Sequence, residues 1–194
     1  MLLRLALTLT LITPLMHIAV LLSSELTVHD PISVLSQSQW GMLHTVGLLA
    51  FVAAHGLLAL TLGSRDSGWF WPIGRGLLVA AGVNLVYVSY YFAATPAAVL
   101  LAPGANDPLW LVATLIGFAM GLLQPGFSRL SPALGHFNLC CLAAWILLIP
   151  ATLLIGVISL GVYERVVGGV YLAWIGCILI TLLRHERRDS PSAR

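Results

Sequence analysis

The chain has 194 residues, of which 59% are hydrophobic and only 8% charged. A soluble domain carries roughly 25% charged residues, so no soluble fold of this length can hide so much apolar surface, and lipid must solvate much of it. Nine basic residues, all arginine, against seven acidic ones give a net charge of +2, which offers no basic face for nucleic acid.

A membrane-spanning helix needs about 20 mostly apolar residues. In chain order the candidate spans are residues 5–22, 42–62, 73–94, 109–123, 134–160 and 166–183. The first competes with a signal peptide, because residues 1–4 resemble a short charged leader. Its apolar run exceeds the ~7–15 residues of a signal core and no small-residue cleavage site follows, so a retained helix is expected. Breakers mark the connections. Residues 64–71 hold a glycine and three aromatics, 95–108 three prolines, and 124–132 Gly126 with Pro125 and Pro132. The polar tail, 185–194, is expected to be disordered. The sequence thus predicts an all-α polytopic bundle of six transmembrane helices in a single domain, residues 1–184. No internal repeat of the kind common in transporters is evident.

Arginine placement sets the expected orientation. With six spans, Arg4, Arg65, Arg75, Arg129, Arg184, Arg187, Arg188 and Arg194 fall on one side, and Arg165 alone on the other. The positive-inside rule then puts both termini in the cytoplasm, with the protein in the cytoplasmic membrane. Trp40, Trp69, Trp71 and Trp110 fall at span ends as an aromatic belt, whereas Trp145 and Trp174 fall within spans. Pro14 and Pro150 are expected to kink their helices. Gly117 and Gly121 form a GxxxG pair, and Gly169 with Ala173 a small-xxx-small pair. Such spacing serves packing within one bundle or a homodimer face. Cys140, Cys141 and Cys177 lie in apolar runs and read as small hydrophobes, not a disulfide or metal set.

The ionisable groups outside the arginine-rich edge gather at the opposite end. The connection after span one carries Glu25, His29, Asp30, Ser33 and Ser36 and no base. His17 lies below it in span one and His44 one turn inside span two. At 1.5 Å per residue these two histidines sit at nearly equal depth. Asp107, Glu164 and Arg165 fall at the same end. An ionisable group within a span usually faces the interior. One reading is structural: Asp30 and Ser33 cap a short helix opening at Pro31, and Arg165 turns inward to meet Asp30. A second is a pocket for a lipid headgroup or small ligand formed by His17, His29, Asp30, Ser33, His44 and Arg165. A third is a metal site of His17, His44 and either Asp30 or His29, whose ligand types suit zinc. A b-type haem between His44 or His55 and a second helix is a further alternative. His17 matches His44 in depth, but His136 does not match His55. No cofactor is expected. Asn84, Tyr87, Ser89, Tyr90 and Asn138 are read as buried groups bonded between helices.

One family resemblance emerges. The segment Asp30-Pro-Ile-Ser-Val-Leu-Ser followed by Gly41 and an apolar span resembles the first outer loop of the DUF998 family. Gly161-Val-Tyr-Glu-Arg-Val-Val followed by Trp174 is similar to that family's last loop and span, and Ser131-Pro-Ala-Leu-Gly-His-Phe to the start of its fifth. At Gly135-His136-Phe137-Asn138 the chain departs from the more basic stretch of the family. The resemblance implies a small six-helix bacterial or archaeal membrane protein, broadly similar to the Frag1/DRAM/Sfk1 group, with no settled activity. Together these features predict a non-enzymatic protein that binds a lipid or small amphiphile at its outer end or supports a membrane-protein partner. The alternative is a metal-dependent lipid hydrolase whose nucleophile is Ser33 or a metal-bound water; a small transporter lacks an evident through-path.

Overall fold

The computed structural model describes residues 1–63, 68–95, 107–151 and 159–188, with the side chains of Ser33, Phe92, Ala93, Asp107, Pro108, Ile149, Pro150, Ala151, Arg187 and Arg188 outside that description. Most of the expected connections at 64–71 and 95–108, and residues 189–194 of the tail, also lie outside the described residues. The described chain is helical, with no strand: α1 Leu2–Ser23, the single-turn α2 Ile32–Leu35, α3 Gly41–Leu62, α4 Phe70–Ala94, α5 Asp107–Leu130, α6 Pro132–Ala151 and α7 Leu160–Arg188. Five apolar stretches are long enough to cross a membrane: Leu2–Ser23, Gly41–Leu62, Phe70–Tyr91, Leu109–Leu130 and Leu160–Glu186. The apolar stretch Pro132–Leu148 in α6 is shorter. Outward-facing residues such as Leu15, Met42, Val83, Phe118 and Leu147 are large and apolar, as a lipid-facing surface requires. The molecule is a multi-pass membrane protein by this measure.

The helix ends differ from the sequence reading in two places. The segment 124–132, expected to be a loop, is helical to Leu130, passes through Pro125 and turns into α6 at the single residue Ser131. Local breakers are overridden because Phe127 is fully buried against Trp71 and Trp174. Gln124 also donates to the Gly135 carbonyl at 3.1 Å, tying the turn across its base. Gly135 is necessary there, since a Cβ would fall 2.8 Å from Ser128 Cα. The second difference is at the other end: Leu160, expected to end the fifth span, and residues 161–165, expected between spans, form the first turns of α7, which continues to Arg188 into the expected tail.

The six long helices close into a ring in chain order. Each packs on its neighbours, and α7 returns to α1. One half of the ring is filled. Asn138 on α6 donates to the Met120 carbonyl of α5 at 3.0 Å and to Gln124 Oε1, and its Oδ1 accepts from Trp174 Nε1 of α7 at 2.6 Å. His55 Nδ1 lies 2.7 Å from the Phe51 carbonyl, so it must carry the proton and donate. His55 Nε2 then accepts from the Tyr171 hydroxyl. Arg75 donates to the Ala59 carbonyl at 2.8 Å and the Gly63 carbonyl at 2.7 Å, satisfying the open C-terminus of α3. Trp71, expected in the interfacial belt, is instead 2% exposed and donates to the same Gly63 carbonyl.

The remaining polar residues divide. Asn138 bonds between helices as expected. Asn84 and Ser89 donate to Ala80 and Leu85 within their own helix, and Tyr87 and Tyr90 face outward. Cys140 is also exposed, while Cys141 is buried. Replacing Asn138 by Leu should strand the Trp174 indole N–H and the Gln124 amide. Leaving buried polar groups unpaired costs about 1–3 kcal/mol, or roughly 2–4 °C of melting midpoint per kcal/mol in a chain this long. Thermal unfolding in detergent should therefore show a clear drop for Asn138→Leu and little for Asn84→Leu. Equal midpoints for the two variants would contradict the assignment.

Candidate functional site

The other half of the ring is hollow. It holds a half-open cavity of about 530 Å³, within the ~300–1,000 Å³ range of small-molecule sites. Its wall is apolar: Leu48 and Phe51 from α3, Leu85 and Val88 from α4, Val112 and Ile116 from α5, Trp145 from α6 and Leu172 from α7. Four ionisable side chains interrupt that wall, His17, His44, Glu164 and Arg165. Alternating helix direction explains why they meet. The C-terminal part of α1, the start of α3 and the start of α7 all lie at this end.

His17 and His44 come together as the depth count requires, with ring centroids 5.7 Å apart and planes inclined at 58°. Thr13, one turn before His17, holds α1 against α3 by donating to the Gly47 carbonyl at 2.9 Å. Both histidines carry a buried Nε2 with no hydrogen-bond partner. Such atoms are uncommon in an interior and call for an explanation.

The α1–α3 connection is fastened across this end by α7. Arg165 Nη1 donates to three carbonyls: Val28 at 3.0 Å, Asp30 at 2.7 Å and Gly161 at 2.8 Å. Glu164 Oε2 accepts from the Ile32 amide at 2.5 Å, so it is Glu164, from the far end of the chain, that receives the first N–H of α2. The N-cap residue of α2, Pro31, makes no side-chain cap bond of its own. Asp30, expected in that role, points back and accepts from the Thr27 amide at 2.6 Å and the Thr27 hydroxyl at 3.0 Å. Arg165 thus does turn inward toward Asp30, but it finds the backbone carbonyl rather than the carboxylate. His29 pairs with Ser159 at 3.1 Å on the exposed rim. Gly161 lets the two segments touch. A Cβ there would sit 2.2 Å from the Asp30 carbonyl oxygen and 2.6 Å from the His29 carbonyl carbon.

Each fastening residue uses only part of its capacity. Glu164 Oε1 and Arg165 Nε and Nη2 are buried and have no partner, and both residues line the cavity. The free pair on Arg165 is the Nε–Nη2 edge, a fork matched to two oxygens of one oxyanion. Of the six sequence-predicted site residues, His17, His44 and Arg165 line the cavity. His29 and Asp30 serve the connection, and the Ser33 side chain lies outside the described residues. Among the described residues no group of three or more His, Cys, Asp or Glu side chains is placed to hold a metal ion. His17 and His44 thus find no third such ligand among the described residues. His55 bonds to Phe51 and Tyr171 through its two ring nitrogens.

The sequence places Glu164 at this end without a role and gives Gly168 and Tyr171 none. Their spacing of four and seven residues along one helix marks one face, a signal that the assumed loop over 161–165 concealed. Gly117, half of the GxxxG pair, faces inward, where a Cβ would meet the Trp145 ring at 3.2 Å; around Gly121 the space is open. Compared with family models, curated proteins and solved structures, the chain matches none.

Fastening of the connection depends on the Gly161 contact. Gly161→Ala should unseat it, and amide hydrogen exchange over residues 28–35 should accelerate by at least about tenfold, equivalent to one lost hydrogen bond of ~1.4 kcal/mol. Exchange as slow as in the parent chain would contradict the contact.

Proposed function

We propose that this protein is a six-span membrane protein with both termini in the cytoplasm, and that it binds a single lipid or small amphiphile in the outer half of its bundle. One observation carries the binding reading: an apolar cavity of about 530 Å³ ends in four ionisable side chains that each keep a buried polar atom unpartnered. An apolar tail would replace empty space along Leu85, Val88 and Ile116, where each buried methylene contributes about 0.8 kcal/mol. A polar head would supply the missing partners at His17, His44, Glu164 and Arg165. The eight-to-one arginine asymmetry supports placing this end outside and the protein in the cytoplasmic membrane. The segments at 30–36 and 161–167 support kinship with the DUF998 family, which adds no activity of its own. An outward face at Gly121 is available to a second copy or a membrane partner. A hydrolase reading finds less support, since no group of three or more His, Cys, Asp or Glu side chains among the described residues is placed to hold a metal ion.

The cavity can be filled without disturbing its walls. Gly168 lines it, and a Cβ added there meets nothing within 4 Å. Replacing a helical glycine also favours the helix by roughly 0.5–1 kcal/mol. Native mass spectrometry of protein released from mild detergent should show one bound amphiphile in the parent chain and none in Gly168→Phe, with an equal or higher melting midpoint for the variant. An amphiphile retained by a folded Gly168→Phe protein would exclude this cavity as its site.

A further inference from the structure

The unpartnered atoms at the cavity end are of both kinds, and this restricts the head they can accept. Arg165 presents two N–H-bearing nitrogens, Nε and Nη2, while its third nitrogen is held by the Val28, Asp30 and Gly161 carbonyls. The guanidinium is therefore held by Nη1 with its Nε–Nη2 edge unpartnered, the edge that can bind two oxygens of a phosphate or carboxylate. Glu164 presents Oε1, an acceptor, while its second oxygen is held by the Ile32 amide. The two residues are adjacent on α7, 1.5 Å apart along its axis, and both line the same cavity.

A head carrying only negative charge would satisfy Arg165 and face the buried Glu164 oxygen with a like charge. A head carrying only positive charge would do the reverse. A quaternary ammonium has no N–H to give Glu164 Oε1. A primary ammonium next to a phosphodiester answers both. The imidazole Nε2 atoms of His17 and His44 can each donate or accept, so they adapt to the remaining phosphate or glycerol oxygens.

We infer that the cavity selects a zwitterionic phospholipid bearing a primary ammonium, with its phosphate on the Arg165 Nε–Nη2 edge and its ammonium on Glu164. This rests on the amphiphile-binding reading above and narrows it to one head chemistry. The test uses the full chain in maltoside detergent, with tryptophan fluorescence as the readout because Trp110 and Trp145 line the cavity. Three single-chain probes are titrated: lysophosphatidylethanolamine, lysophosphatidylcholine and lysophosphatidylglycerol. The ethanolamine lipid should bind about tenfold or more tightly than either other probe, the scale of one charge-assisted hydrogen bond. Glu164→Gln keeps an oxygen for the Ile32 amide and removes the acceptor that would hold the ammonium, so it should abolish that preference.

Saturable binding of all three probes with equal affinity would overturn the head selectivity and leave the cavity reading standing. So would an ethanolamine preference that survives in Glu164→Gln. Absence of saturable binding by any probe would overturn both. If Glu164→Gln does not fold, the ranking of the three probes by the parent chain decides the question.

Discussion

A polar group buried among apolar helices must find a partner, and in this bundle that requirement is met at one half and left open at the other. Asn138 joins three helices through Met120, Gln124 and Trp174, and His55 meets Tyr171 across the ring. Between these contacts Phe127, Trp71, Met120 and Leu123 fill the space completely. Lipid cannot drive helices together by hydrophobic burial, because it is as apolar as their side chains; close packing and interhelical hydrogen bonds do so instead. The filled half thus fixes the positions of all six long helices. The hollow half inherits that geometry and need not close on itself.

That division explains why α7 has two characters. Its later turns, from Tyr171 through Leu182, are packed and satisfied. Its first turns carry Gly161, Glu164 and Arg165, which fasten the connection between α1 and α3 across the end of the ring. Fastening uses one carboxylate oxygen and one guanidinium nitrogen. The remaining polar atoms stay unpartnered, on side chains held in place by the same contacts. A binding residue whose orientation is set by an unrelated structural bond is pre-organised, and less ordering is required when a ligand arrives.

Hydropathy made the helices legible because each span is long and almost uncharged. Counting 1.5 Å per residue was enough to place His17 beside His44. Local rules failed where tertiary contacts outweighed them. Pro125 and Gly126 suggested a loop, yet burial of Phe127 and the Gln124 bonds carry the helix on to Leu130. Gly161 suggested a turn, yet it is the point where α7 touches the Asp30 backbone. Asp30 looked like a helix cap, but the cap came from Glu164, 132 residues further along the chain. No local pattern announces a partner that distant. Trp71 likewise sits at a span end but is drawn inward by the Gly63 carbonyl left open by α3.

The account centres on the hollow half being a site rather than a void. A crystal structure of the protein grown from a lipidic mesophase, at a resolution that shows individual side chains, tests this most directly. The account predicts elongated density in the cavity along Val88 and Ile116, with its head within hydrogen-bond distance of Arg165 Nε and Nη2 and of Glu164 Oε1. Side chains of α1 and α7 collapsed into the space, with Arg165 and Glu164 turned to partners of their own, would contradict it.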